Sequence, residues 1–212
     1  MKQIITLIAL VLAGTFSNAQ TKADIFDKKV PITWLGLDFS ELHFIGDAAQ
    51  WQDVGGISNS ELQEKYFVSW NELFHTEKDK YDVADAMYRK KADYAIEVVA
   101  AINEQSEKDH FGHGNDEFRH LSEDDIAKMV KAYDYKDRAG LGMVFIVEGL
   151  HKEAKKASIW VAYVNMSTKE LLLAKQIEGK AGGFGFRNYW AKSFFNGLRE
   201  VKDNYGKWKK GK

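Results

Sequence analysis

A polar segment between residues 109 and 120 concentrates side chains that bind metal ions. Its sequence, DHFGHGNDEFRH, holds three histidines and three carboxylates within 12 residues. Imidazole and carboxylate groups are ligands for zinc and other divalent ions, and glycines let a loop fold around an ion. The predicted ligands are His110, His113, His120 and Asp116, with Asp109 as an alternative fourth ligand. The spacing matches no HExxH-type motif, so a solvated polar loop is the competing interpretation.

The glycine-rich segment 179–186, GKAGGFGF, is a second candidate site, just before the last predicted helix. Free backbone N–H groups at such a helix start can hold an anion. The predicted ligand-binding residues are Lys180, Gly182, Gly183, Gly185 and Arg187. The segment is neither a Walker A motif nor a GxGxxG after a parallel strand. A turn whose glycines supply positive φ and close approach is therefore the favoured alternative.

Two carboxylates, Asp38 and Glu148, lie in apolar segments, where burial raises the proton affinity of a carboxylate. Nothing in the sequence brings them within reach of each other, and no GxSxG motif is present. No catalytic residue and no cofactor is therefore predicted. The basic tail, 207–212, is interpreted as a frayed terminus and not as a nucleic-acid contact.

The first 19 residues have the three-part pattern of a cleavable signal peptide. Lys2 precedes the apolar run 4–13, and Ser17-Asn18-Ala19 provides small residues for cleavage before Gln20. No other stretch is long enough to span a membrane. The chain has no cysteine, which excludes disulfides, thiolate metal sites and a lipid-modified N-terminus. We expect an exported protein, periplasmic or secreted, with a single domain over 20–212 and loose ends at 20–29 and 207–212.

Charge is unevenly spread along this chain. Residues 20–150 hold 15 basic and 26 acidic side chains, a net of −11, whereas 151–212 hold 14 basic and 5 acidic ones, a net of +9. The asymmetry indicates either an interaction surface or two halves that neutralise each other within one fold, and the second interpretation is favoured.

Apolar patterning predicts an α/β fold with a mixed sheet of four or five strands and helices packed on it. Strands are expected over 32–39, 94–102, 141–150, 158–166 and 171–178, with 42–45 as a continuation or a short extra strand. Helices are expected over 59–75, 82–91 and 187–205, and after Ser122. Segment 94–102 has a helix as its alternative, because its alanines suit one. The element order is β-α-(α)-β-α-β-β-β-α, with the last three strands as an antiparallel meander.

This order resembles a group of envelope proteins: the N-terminal domain of TolB, the curli secretion protein CsgG and the lipoprotein activators of penicillin-binding proteins. Segment 32–39 looks like the first strand of that group, MVFIVEG at 143–149 like the strand after the second helix, and 158–175 like the hairpin. The chain departs from the group by lacking the anchor cysteine and by long insertions at 46–57 and 104–120.

The resemblance implies a non-catalytic interaction or assembly module of the cell envelope. Its partner would be another envelope protein, with neither nucleic acid nor a membrane span involved. The alternative is a metal- or small-ligand-binding periplasmic protein that uses the histidine segment or the glycine-rich segment. The sequence does not indicate an oligomeric state.

Overall fold

The computed structural model describes residues 20–46 and 56–211. The predicted leader and most of the predicted loop 46–57 lie outside these ranges. The strands are β1 (Ile32–Asp38), β2 (His43–Ile45), β3 (Asp93–Tyr94), β4 (Leu141–His151), β5 (Lys156–Asn165) and β6 (Glu170–Lys180). The helices are α1 (59–76, with a π-helical stretch at Leu62–Phe67), α2 (Val83–Ala86), α3 (Glu97–Gln105), α4 (Glu123–Ala132) and α5 (Phe186–Lys209). None of the described helices is long and apolar enough to cross a bilayer.

The sheet is mixed, as the sequence predicts, and has the order β3-β1-β4-β5-β6. β1 is parallel to β3 and to the first part of β4, while β2 is parallel to the last part of β4. β4, β5 and β6 form the predicted antiparallel meander. β4 is therefore the central strand, with β1 and β2 following one another along its side.

Helices cover both faces of the sheet and create two apolar cores. α1, α2 and α5 pack on one face around aromatic side chains that include Trp34, Trp70 and Trp190, all fully buried. α3 and α4 pack on the other face, where smaller apolar side chains dominate. The α5 stripe that the sequence predicts is buried in the first core, and its members are Trp190, Phe194, Leu198, Val201 and Tyr205.

Segment 94–102 is largely helical, so the favoured prediction of a strand is wrong and its alternative is right. In this part of the chain, strand pairing with β1 is limited to Asp93–Tyr94, and α3 begins at Glu97. The β-branched Val98 and Val99 pack against the sheet from the helix. Tertiary packing of this apolar face outweighs the strand preference of valine.

The chain ends differ from the loose termini that the sequence predicts. Residues Asp24–Phe26 form a short 3-10 helix in which Ile25 is fully buried. The guanidinium of Arg89 donates to carbonyl oxygens of this segment and fixes it to the body. At the other end, α5 continues to Lys209 because Trp208 packs into the first core.

Two asparagine side chains complete the edge of β1. β3 pairs with Thr33 and Trp34, so the rest of this edge needs other partners. Asn71 of α1 accepts from Leu37 N at 2.7 Å and donates to Leu37 O at 3.0 Å. Asn103 of α3 accepts from Phe39 N at 2.7 Å and also donates to Leu37 O. Side-chain amides thus replace a neighbouring strand and satisfy the buried backbone.

Candidate metal centre

Three histidine rings form a parallel stack at the β2 end of the sheet. The ring of His43 lies between those of His113 and His120, with centroid separations of 3.5 Å and 3.7 Å. Each outer ring is tilted by no more than 8° from the ring of His43. His43 comes from β2, whereas the other two come from the segment 106–122, which we call the histidine loop.

Backbone contacts fix the histidine loop on β2. His113 forms an isolated parallel bridge with Ile45, and Phe44 N donates to His110 O at 2.7 Å. These bonds make the loop a short extension of the sheet. They place its histidines beside the side chain of His43.

Two residues of β4 contact the histidine loop and hold it against the sheet. Glu148, which is fully buried, accepts the N–H groups of His120 at 3.1 Å and Leu121 at 3.0 Å. A Cβ atom at Gly149 would lie 2.3 Å from Phe118 O, so only glycine lets the loop approach this strand so closely. The short 3-10 helix Asn115–Phe118 therefore sits directly on the sheet.

Glu117, in that 3-10 helix, is the point on which the imidazoles converge. Its Oε2 lies 2.7 Å from His113 Nδ1 and 3.5 Å from His43 Nδ1. Its carbonyl oxygen lies 3.3 Å from His43 Nδ1 and 3.2 Å from His120 Nδ1. Among the described residues, His43, His113 and Glu117 form one group whose ligand atoms all lie within 4.8 Å of each other.

The second ring nitrogen of His113 determines what its Nδ1 can do. Nε2 lies 2.9 Å from the carbonyl oxygen of Asp109, and a carbonyl can only accept, so Nε2 carries the proton. Nδ1 then either carries a second proton or presents a lone pair towards the Glu117 carboxylate. A bound cation would satisfy the lone pair and the carboxylate together. A ligating histidine whose other ring N–H donates to a carbonyl is the usual arrangement in metal sites.

The local electrostatics keep the imidazoles of His43 and His120 neutral near neutral pH. Burial, followed by the charges of His120 and His113, lowers the pKa of His43 to about 4. Burial also lowers the pKa of His120. The hydrogen bond from His113 holds the pKa of the Glu117 carboxyl below its usual value. Neutral imidazole and ionised carboxylate are the forms that coordinate a metal.

Parallel rings do not yet have the geometry of a filled site. Zinc bonds of about 2.0–2.1 Å in a tetrahedron separate ligand atoms by about 3.3 Å, which is close to the distance between His43 Nδ1 and Glu117 Oε2. However, each lone pair lies in the plane of its own ring, so two stacked rings cannot direct their lone pairs at one ion. The 2.7 Å between His113 Nδ1 and Glu117 Oε2 is a hydrogen-bond distance, and His43 Nδ1 faces the carbonyl oxygen of Glu117 and therefore carries a proton. Metal binding therefore requires one ring to rotate and the proton of His43 to leave Nδ1.

Only two of the four predicted metal ligands lie at the histidine stack, and the other two lie apart from it. His113 is in the three-residue group, and His120 stacks on it through His43. His110 is fully buried, lies 2.9 Å from Leu42 O through Nδ1, and belongs to no such group. Asp116 is exposed and also lies outside the group.

Sequence reasoning missed His43 and did not select Glu117. His43 is a polar residue inside a short apolar strand, LHFI, and that interruption is the available signal. Glu117 is one of three carboxylates in segment 109–120. The orientation of the 3-10 helix, which sequence spacing does not reveal, distinguishes it from its neighbour Asp116.

The glycine-rich segment forms the connection between β6 and α5. Gly183 and Gly185 have φ values of 114° and 74°, as a turn of this kind requires. Lys180 lines a surface depression together with Arg199. Arg187 lines a different one and points its guanidinium towards Ser69 O. The two cations of the predicted ligand set therefore face different depressions.

Asp38 and Glu148 are both fully buried, and each has its own partners. Asp38 accepts from Tyr133 Oη and from Ser40 N, while burial raises the pKa of its carboxyl. Glu148 accepts from Ser158 Oγ at 2.7 Å and from the Gln176 amide. These contacts assign the two carboxylates to separate hydrogen-bonding networks.

Comparison of the chain with protein-family models, curated proteins and solved structures finds no match. The resemblance to TolB-like and CsgG-like domains stays a prediction.

Proposed function

We propose that this protein is an exported, non-catalytic binding protein that takes up a divalent transition-metal ion at His43, His113 and Glu117. The observation that carries the proposal is the convergence of two imidazole Nδ1 atoms on the Glu117 carboxylate, with the remaining N–H of His113 held by a backbone carbonyl. This is the histidine-based alternative that the sequence offers, with a changed ligand set.

The donor set favours zinc, nickel or copper over magnesium or calcium. Imidazole nitrogen suits the later first-row metals, whereas the hard cations prefer oxygen. Three protein ligands leave coordination positions for water or an external ligand. The Glu117 side chain is 47 % exposed, so solvent reaches the site. An open, incompletely coordinated site supports reversible uptake and release over permanent structural binding.

Titration of the metal-free chain from residue 20 onwards tests the proposal. We expect one zinc, nickel or copper ion per chain by calorimetry and elemental analysis. Cobalt should give a visible spectrum typical of nitrogen and oxygen ligands. His113→Ala and Glu117→Gln should each weaken binding about 10- to 100-fold, because each removes a ligand at a partly exposed position.

His75→Ala is the matched control, since His75 is a half-buried histidine that packs on Tyr94 at a different part of the sheet. Its metal affinity should equal that of the unmodified chain. Equal losses in His75→Ala and His113→Ala would indicate non-specific binding and contradict the proposal. The absence of stoichiometric binding by any of the three metals would also contradict it.

The interaction module of the cell envelope is the second candidate function. One observation favours it: Phe184 is 90 % exposed, between two glycines with positive φ. A large aromatic side chain held in solvent is the type of residue that anchors a protein interface. Crosslinking of an envelope protein through the nearby exposed Lys180, lost in Phe184→Ala but kept in His113→Ala, would support this function.

A further inference from the structure

The described surface contains a groove between α1 and α3, next to the asparagine-capped edge of β1. It has a volume of about 450 Å³, and Phe67, Asn71 and Asn103 contribute to its floor. The groove shares no residue with the histidine cluster or with the exposed Phe184.

Each wall of the groove is a stripe of three residues at a spacing of four. The α1 wall carries Glu64, Val68 and Glu72, and the α3 wall carries Ile96, Ala100 and Glu104. Residues four apart lie on the same face of a helix, one turn above each other. Each stripe spans nine residues, and the eight steps between its ends correspond to about 12 Å of helix.

The middle of the groove is apolar, and its ends are acidic. Val68 is 54 % exposed and lines the same groove as the apolar side chains of Ile96 and Ala100 on the facing wall. Within residues 20–46 and 56–211, Glu64, Glu72 and Glu104 take part in no ion pair, although the neighbouring acids Glu61 and Glu97 do. Among the residues that the structure describes, no basic side chain lines the groove.

We propose that this groove binds a cationic amphipathic segment of a protein partner. Such a segment would place an apolar side chain over Val68 and Ala100. Its lysine or arginine side chains would pair with Glu64, Glu72 and Glu104. A groove between two helices with apolar walls is a common receptor for an amphipathic helix of a few turns. The acidic ends of the groove favour a positively charged partner and determine how that partner is oriented.

The acid-rich composition of the first part of the chain agrees with this occupant. Residues 20–150 carry a net charge of −11, and both groove walls belong to that part. The acidic side chains of this part favour a positively charged partner at the groove itself, while the basic part 151–212 brings the net charge of the whole chain to −1. The proposal is independent of metal binding.

A labelled peptide tests the groove directly. The probe is a fluorescein-labelled amphipathic peptide of leucine and lysine, about three helical turns long, measured by fluorescence anisotropy at physiological salt. A leucine–glutamate peptide of the same design serves as the negative probe. We expect the lysine peptide to bind at least about 10-fold more tightly than the glutamate peptide.

Two variants separate docking in the groove from general attraction between opposite charges. Val68→Asp makes the surface more acidic but removes the apolar contact, so binding should fall about 10-fold or more. The triple variant Glu64→Gln, Glu72→Gln, Glu104→Gln should cause a similar loss. The control variant Glu123→Gln, Asp124→Asn neutralises exposed acids of α4 and should bind like the unmodified chain.

Any one of four results would overturn the proposal. The first is that the lysine peptide does not bind. The second is that Val68→Asp binds this peptide as tightly as the unmodified chain does. The third is that the α4 control variant loses as much affinity for the peptide as the groove variants do. Sedimentation that shows a dimer dispersed by Val68→Asp would identify a second copy as the occupant and would also overturn it. Circular dichroism checks that each variant is folded.

Discussion

Replacement of Glu148 by alanine should be among the most destabilising single substitutions in this chain. Glu148 lies fully buried in β4 and accepts four hydrogen bonds. Two come from backbone N–H groups of the histidine loop, one from Ser158 and one from Gln176. The carboxylate therefore joins the loop to the sheet.

The structure gives the magnitude of this effect. A buried donor left without an acceptor costs about 1–3 kcal/mol. Gln176 is half-buried and can turn to solvent, whereas Ser158 is fully buried and the two loop N–H groups are partly buried. We therefore expect Glu148→Ala to lower the free energy of unfolding by about 3–5 kcal/mol, a large fraction of the about 5–15 kcal/mol typical of a domain.

Urea denaturation followed by tryptophan fluorescence measures the change in the metal-free protein. Ser158→Ala removes one of the four donors and should cost about 1 kcal/mol. Glu178→Ala is the matched strand-glutamate control. Glu178 pairs with Arg119 and Lys156 at the surface, so its loss should cost less than about 1 kcal/mol. The reasoning fails if Glu148→Ala is no more destabilising than Glu178→Ala.

Three further predictions concern the pH response, a close contact and the sheet edge. The pKa of His43 is about 4 in the folded chain and about 6.5 when unfolded, so the unfolded state binds more protons between these values. His43 should therefore contribute a loss of about 3 kcal/mol of stability as the pH drops from 7 to 4, and denaturation of His43→Asn should show a shallower pH dependence by that amount. A Cβ at Gly179 would lie 2.1 Å from Ser193 O, so Gly179→Ala should cost about 1–3 kcal/mol by thermal unfolding, while Gly182→Ala, with open space around it, should be neutral. Asn71→Ala removes three hydrogen bonds and should cost about 2–4 kcal/mol, with faster amide exchange at the end of β1; unchanged exchange would contradict the capping role.

Elements whose pattern is local could be predicted from the sequence. The meander of β4, β5 and β6 follows from three apolar runs separated by short polar turns. α5 follows from one aromatic stripe at spacings of three and four. In these cases burial and local propensity indicate the same structure.

Segment 94–102 could not be resolved because its apolar residues fit both periods. Alternate positions are apolar, yet Val98 and Val99 are adjacent and belong on one helical face once the helix packs on β1. The decision depends on the position of β1, which is distant in sequence. Local patterns contain no such information.

Part of the candidate site could be predicted from local composition. The rest could not, because it depends on residues that are distant in sequence. Composition identifies the histidine loop and therefore His113 and His120. His43 joins them because β2 pairs with β4 at Gly149 and the loop bridges to Ile45, and this register is a tertiary property. The choice of Glu117 depends on one turn of 3-10 helix.

The asparagine caps on β1 also bear on how this chain avoids aggregation. An uncapped strand edge offers a row of backbone donors and acceptors to any other extended chain. Asn71 and Asn103 already occupy those groups at Leu37 and Phe39, so a strand from another molecule would have to displace both amides before it could pair. The amides make this edge of the folded sheet resistant to fibril-like strand addition for as long as both helices stay packed on it.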